Sequence, residues 1–152
     1  MAYLGTTGSI VTNDLAYQER QAYTLTRGDA EFLHQYVVDT WTAQQATEST
    51  KPIALTFALM GLFLHTERGW TGREVQRGHM DLARQKQEWP ALRLPAARGA
   101  MRPEDVMKAP AGEARDAAIR AWCACVWQTY AGENRETLEA WLKARGIRTR
   151  RT

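Results

Sequence analysis

Side chains that could move a proton are concentrated in one short segment of the chain. Histidine occurs at only three positions, and the first, His34, lies five residues before Asp39. On one straight helix the two would be about 140° apart around the axis and about 7.5 Å apart along it, so they can face two neighbours but cannot hold one ion. We predict His34 and Asp39 as the candidate catalytic residues, because an imidazole titrates near neutral pH. A structural role for His34, hydrogen-bonded at the edge of an apolar stripe, remains the alternative.

The two other histidines have simpler interpretations. His65 lies near the end of an apolar segment, where a cation is favoured by the dipole of a helix C-terminus. His79 lies in a polar segment, and we predict it to be solvated.

Aromatic and charged residues elsewhere are candidate ligand-binding residues. Six tryptophans predict either a well-filled core or an aromatic pocket between helices, since large aromatic rings dominate both. Charged groups at the end of the apolar segment need partners if they are buried. Arg68 or Arg98 could clamp Asp39 from another segment, or the charges could form a structural ion-pair network. The predicted ligand-binding residues are Trp41, Gln45, Glu67, Arg68, Arg98, Trp122 and Trp127.

Several common catalytic and metal-binding patterns are missing from the sequence. There is no HxxxH or HExxH motif, and on a helix Cys123 and Cys125 would point about 200° apart, too far for one metal or one disulfide. No GxGxxG, Walker loop or GxSxG elbow occurs. The sequence therefore specifies no metal ligands, and the cofactor, if one is used, stays unknown.

Charge and hydropathy limit the partners and the location of the protein. Of the net charge of +3, the last ten residues contribute +5, which is typical of a solvated tail, and no aromatic or Gly-rich RNA-binding pattern accompanies it. We therefore do not expect a nucleic acid partner. The longest apolar run, 53–64, is too short to span a bilayer, and the first residues lack a signal-peptide pattern. These features, with few cysteines, predict a cytoplasmic protein without a membrane partner.

Helical periodicity recurs along the whole chain, and no alternating strand pattern is longer than a few residues. We predict an all-α, single-domain bundle of about five to six helices over residues 1–152, with one long Pro-rich loop. The predicted segments are an irregular arm at 1–11, helices at 12–27, 29–46, 53–67 and 72–88, a loop at 89–103, a short helix from Pro103, a helix at 112–131 broken by Gly132, a last helix at 133–145, and a basic tail at 146–152.

Four segments carry a resemblance to a known family: FLHQYVVDTWTAQQ (32–45), LFLHTERG (62–69), WPALRLPAARGAMRPEDV (89–106) and AWCACVWQTYAGEN (121–134). In order and spacing they are similar to an uncharacterised bacterial family of small helical proteins, a domain of unknown function, with the pattern HQxxVDxYxxQH, ERG, WPxLxxPxxRG and WxxxVW. The resemblance implies no activity. It implies that the family uses the positions His34, Gln35, Asp39, Gln44, Glu67, Arg68, Arg98, Gly99, Trp122 and Trp127.

Two departures from the family pattern bear on metal binding. Gln45 stands where the first motif ends in histidine, and Glu133-Asn134 stand where a later histidine is expected. If relatives hold a metal between helices, this chain lacks imidazoles for it, and a carboxylate such as Glu133 would make a different site.

Three functions remain open at this stage. The first is a small-molecule-binding protein or enzyme with acid–base residues in an inter-helical aromatic pocket. The second is a metal-assisted transferase or hydrolase. The third is a non-enzymatic interaction module that uses exposed aromatics or the basic tail. A homodimer is compatible with each.

Overall fold

The computed structural model describes residues 33–147, of which 70% are helical, and this part of the chain contains no strand. The all-α prediction is confirmed. The helices are α1 (Leu33–Gln45), α2 (Pro52–Arg68), α3 (Gly72–Ala83), α4 (Pro103–Lys108) and α5 (Glu113–Ala144). The predicted arm 1–11, the helix 12–27 and most of the tail 146–152 lie outside the described residues.

The apolar helix α2 is the centre of the bundle, packed against α1, α3 and α5. It begins at Pro52, which suits the first helical position because proline has no N–H to satisfy there. It ends where Gly69 takes a left-handed conformation with φ of 69°. The prediction of a central helix over 53–67 is therefore confirmed.

The amphipathic helix α3 lies across α1 and α2. Thr71 and Glu74 form a capping box at its start, in which each side chain accepts a hydrogen bond from the backbone N–H of the other. Val75 and Leu82 are buried, whereas Met80 is 53% exposed. The helix ends at Ala83, earlier than the predicted 88.

The long helix α5 runs for 32 residues without interruption, so the predicted break at Gly132 is wrong. A glycine inside a helix costs about 1 kcal/mol relative to alanine. Here the buried side chains on both sides of it, Tyr130 before and Leu138 after, keep the same face against the core.

The Pro-rich loop between α3 and α4 is fastened to the helices by side-chain hydrogen bonds, and its prediction is confirmed. Trp141 donates to the Glu88 carbonyl at 2.7 Å. Asn134 accepts from the backbone N–H of Arg93 at 2.7 Å and donates to its carbonyl at 2.9 Å. Gln44 donates to the Met101 carbonyl at 2.7 Å. Both ends and the middle of the loop are thereby held against α1 and α5.

Among residues 33–147, no helix combines the length and the apolar character needed to cross a membrane.

Candidate functional site

A buried carboxylate and a buried imidazole meet where α1 packs on α2. Asp39 is 2% exposed and His65 is 7% exposed. Oδ2 of Asp39 and Nε2 of His65 lie 3.4 Å apart, and neither atom has a hydrogen-bond partner elsewhere in residues 33–147. A carboxylate oxygen facing an imidazole nitrogen is favourable only with a proton between them. Both residues are buried, so the contact is shielded from solvent.

A glycine in α2 provides the space for this carboxylate. A Cβ atom at position 61 would overlap the side chain of Asp39, which lies against the Gly61 backbone. Gly61 precedes His65 by four residues, so both lie on the same face of α2. That face receives the carboxylate of Asp39 with backbone at one end and an imidazole at the other.

Hydrogen bonds and stacking fix the orientation of both members of the pair. Nδ1 of His65 lies 3.1 Å from the Trp70 carbonyl, which can only accept, so Nδ1 carries a proton. The Tyr36 ring stacks on the imidazole with centroids 3.6 Å apart, and its hydroxyl donates to the same carbonyl at 3.1 Å. Gln35 donates to Oδ1 of Asp39 at 2.8 Å. Neither the His65 ring nor the Tyr36 ring can turn without breaking its hydrogen bond to the Trp70 carbonyl.

A cavity of about 350 Å³ opens beside the imidazole. His65 and Tyr36 form one wall, and Thr66, Arg120 and Cys123 contribute others. The guanidinium of Arg120 lies 5.8 Å from the centre of the Tyr36 ring. The described residues that line the cavity include the permanent cation Arg120 and no Asp or Glu.

The thiol of Cys123 in this wall is not an activated nucleophile. Burial raises its pKa to about 12, against weaker lowering by hydrogen bonds with Thr40 and Thr66. A thiol with that pKa is protonated at neutral pH and behaves as a small apolar group. Cys123 therefore shapes the cavity rather than reacting in it.

The charges of Asp39 and His65 affect the pKa of the third histidine, His79. The prediction that His79 is solvated is wrong. The His79 ring stacks on Phe57 at 4.5 Å, and its Nε2 lies 2.9 Å from the Phe57 carbonyl. Burial lowers the pKa of His79, although the Asp39 carboxylate and the Phe57 carbonyl partly oppose this and His65 adds to it. The lowered pKa keeps His79 neutral at pH 7, and its ring packs on Phe57.

The structure gives His34 and Asp39 different surroundings. Asp39 faces His65. For His65 the sequence predicts only a favourable interaction with the dipole at a helix C-terminus. His34 is half-buried on α1, and burial lowers its pKa. The catalytic role predicted for His34 stays a prediction.

The tryptophans predicted to line a pocket are not in the wall of the His65 cavity. Trp122 and Trp127 are 0% and 1% exposed, and Trp41 packs partly buried against the core. The indole of Trp122 donates to Oε1 of Gln44 at 3.1 Å. Trp127 donates to Oε2 of Glu67 at 2.6 Å. These rings fill the interior and use their N–H groups to fix polar side chains.

The predicted charged residues pair away from Asp39, so the expected clamp by Arg68 or Arg98 is wrong. Arg68 donates to Glu139 at 2.8 Å and Arg98 donates to the Ala46 carbonyl at 2.6 Å. Glu67 accepts from Arg135 at 2.8 Å as well as from Trp127. Burial raises the pKa of Glu67, but the hydrogen bonds from Arg135 and Trp127 outweigh it and the pKa lies below its usual value.

The remaining predicted ligand-binding residue, Gln45, is exposed at the end of α1. The residues that the sequence interpretation missed are His65, Tyr36 and Arg120. One signal was present, since Gly61 interrupts an apolar helix four residues before His65. Within the described part of the chain, no three His, Cys, Asp or Glu side chains come together in an arrangement that could hold a metal ion.

Comparison with known proteins identifies a family whose function is unknown. Residues 14–131 match the family of unknown function DUF5946. The chain belongs to this family, which agrees with the resemblance noted in its motifs. No curated protein and no solved structure matches the chain.

Proposed function

We propose that the chain is a small-molecule-binding protein whose ligand is a small organic anion held in the cavity beside His65. The observation that carries this proposal is the cavity itself, about 350 Å³ in volume, walled by one member of a buried Asp39–His65 pair. Ligand pockets in proteins measure roughly 300–1,000 Å³ and combine apolar walls with a few fixed polar groups. This cavity has those properties.

The charge of the wall favours an anion over a neutral or cationic guest. Arg120 is a permanent cation, and Asp39, the carboxylate that faces His65, is not among the residues that line the cavity. Thr66 adds a hydroxyl. Arginine binds carboxylate and phosphate groups through charge-assisted hydrogen bonds, which are stronger than neutral ones.

Binding is better supported than catalysis by His65. Its Nδ1 is occupied by the Trp70 carbonyl and its Nε2 faces Asp39, so both nitrogens already have neighbours. A general acid or base needs a nitrogen within reach of the ligand. The pair therefore acts as a rigid wall that positions the ring, and an enzymatic role would require the ring to turn.

Calorimetric titration with a small matched panel tests the proposal. Benzoate and phenyl phosphate carry the expected charge, and benzamide is a neutral control of the same shape as benzoate. We expect saturable binding of an anion and none of benzamide. Arg120→Gln should weaken anion binding roughly tenfold or more, the usual effect of losing a charged hydrogen bond. Arg84→Gln, which removes an exposed charge that is not part of the cavity wall, should leave it unchanged.

The outcomes against the proposal are equally definite. Equal binding of benzamide and benzoate would remove the anion preference. Equal losses in the Arg120 and Arg84 variants would mean that the anion responds to overall charge and not to this cavity.

A further inference from the structure

A second cavity, of about 600 Å³, shares no lining residue with the His65 cavity. One wall is the turn after α1 and the first turns of α2, including Thr56. The other wall is the loop around Arg93, together with Glu133 of α5. We propose that this cavity binds an organic amine, with an apolar body inside and its ammonium group at the two carboxylates of the rim.

A residue with an unsatisfied hydroxyl, Thr56, belongs to the wall of this cavity. Thr56 is fully buried, and its Oγ1 has no hydrogen-bond partner in residues 33–147. Helical threonines usually bond to a preceding backbone carbonyl, as Thr40 does to Tyr36 at 2.6 Å and Thr129 to Val126 at 2.7 Å. A buried hydroxyl without a partner costs free energy, which a polar atom of a ligand can recover.

The described residues that line the cavity carry excess negative charge. They include two carboxylates, Glu48 and Glu133, and one cation, Arg93. The Arg93–Glu133 contact is 4.0 Å long, and its side chains are 76% and 61% exposed. An ion pair so long and so exposed contributes little, so a ligand ammonium can displace Arg93 from it at small cost.

Part of the wall is apolar, and its loop side is held in place. Leu55, Leu92 and Leu94 provide apolar surface for the body of the ligand. The two hydrogen bonds between Asn134 and the backbone of Arg93 fasten the loop wall to α5. A site with fixed walls loses less free energy on binding than one that must be ordered.

Calorimetric titration with four related probes tests the charge and the hydroxyl separately. The probes are 2-phenylethylamine, its phenol analogue tyramine, 2-phenylethanol and 3-phenylpropanoate. In the Arg120→Gln protein, in which the anion site is weakened, we expect both amines to bind saturably and the alcohol and the carboxylate not to bind. Glu48→Gln and Glu133→Gln should each weaken amine binding roughly three- to tenfold, as expected for loss of one exposed charge. The matched control Glu136→Gln removes an exposed charge of α5 outside the cavity and should bind as the wild type does.

The variant Thr56→Val tests the hydroxyl. It should weaken binding of tyramine while leaving the protein at least as stable as the wild type, because it removes a buried hydroxyl that has no partner. Arg120→Gln should not change amine binding, so this inference can fail or succeed independently of the anion site. The proposal is overturned if no amine binds at about 10 mM or below. It is also overturned if 3-phenylpropanoate binds the Arg120→Gln protein as tightly as the amines do, or if both glutamine variants bind like the control.

Discussion

The carboxylate of Asp39 lies against the backbone of Gly61, in a space that any side chain at position 61 would occupy. This contact explains why a glycine interrupts the interior of an otherwise apolar helix. It also places the carboxylate within 3.4 Å of His65, one turn further along the same face. The Asp39–His65 contact therefore depends on the close approach of α1 and α2 at Gly61.

Replacing Gly61 by alanine should destabilise the protein by about 1–3 kcal/mol, the usual cost of overpacking a core. Thermal or urea unfolding measures this directly. The control is Gly132→Ala, since nothing lies within 4 Å of a Cβ at that position of α5. That variant should gain about 0.5–1 kcal/mol from helix propensity. A stabilising Gly61→Ala would contradict the contact with Asp39.

Stability should fall as the pH drops below 6.5, the usual pKa of histidine, because burial lowers the pKa values of His79 and His34. Between 6.5 and the lowered values the unfolded chain binds more protons than the folded one, so protons favour unfolding. The stabilisation is complete above 6.5 and is lost as the pH falls through the lowered values. Melting temperatures at pH 7.5, 6.5 and 5.5 would measure this loss of stability. His79→Gln should show a smaller decrease, and an unchanged decrease would count against a buried neutral His79.

Removing the carboxylate of Glu67 should leave the indole N–H of Trp127 buried without its acceptor. We expect Glu67→Ala to cost about 1–3 kcal/mol in urea unfolding at neutral pH. Glu136→Ala, at an exposed position of the same helix as Trp127, should stay within about 0.5 kcal/mol of the wild type. Equal effects of the two changes would show that Glu67 acts only through surface charge.

The Pro-rich loop should loosen when Gln44 is shortened. Gln44 joins the Trp122 indole to the carbonyls of Arg98 and Met101. Limited trypsin digestion reports on this, because Arg93 and Arg98 are cleavage sites in the loop. Gln44→Ala should be cut there several times faster than the wild type. The neighbouring exposed residue provides the control, and Gln45→Ala should be cut at the wild-type rate.

The helices could be predicted because their start and stop signals are local. Pro52 and Gly69 bound α2, and Pro103 opens α4, as their backbone preferences require. Gly132 misled the prediction because an isolated glycine is also tolerated inside a helix when both flanks are buried.

The candidate site could be predicted only in part. Asp39 was identified from its motif, but its partner depends on how α1 packs on α2, which helical periodicity does not specify. Gly61 and His65, four residues apart, were the local signal of a close approach on that face. The tryptophan content predicts either an aromatic pocket or a well-filled core. The choice between the two depends on tertiary packing, which residue spacing in the sequence does not reveal.

Imidazole ¹⁵N chemical shifts, followed during titration with the anion that binds most tightly, test the central claim most directly. We predict that His65 has its proton fixed on Nδ1 in the free protein and that its ring signals move in proportion to anion occupancy. The ring of His34 is the internal reference and should not move. Saturable anion binding that shifts His34 while leaving His65 unchanged would contradict a ligand site beside the Asp39–His65 pair.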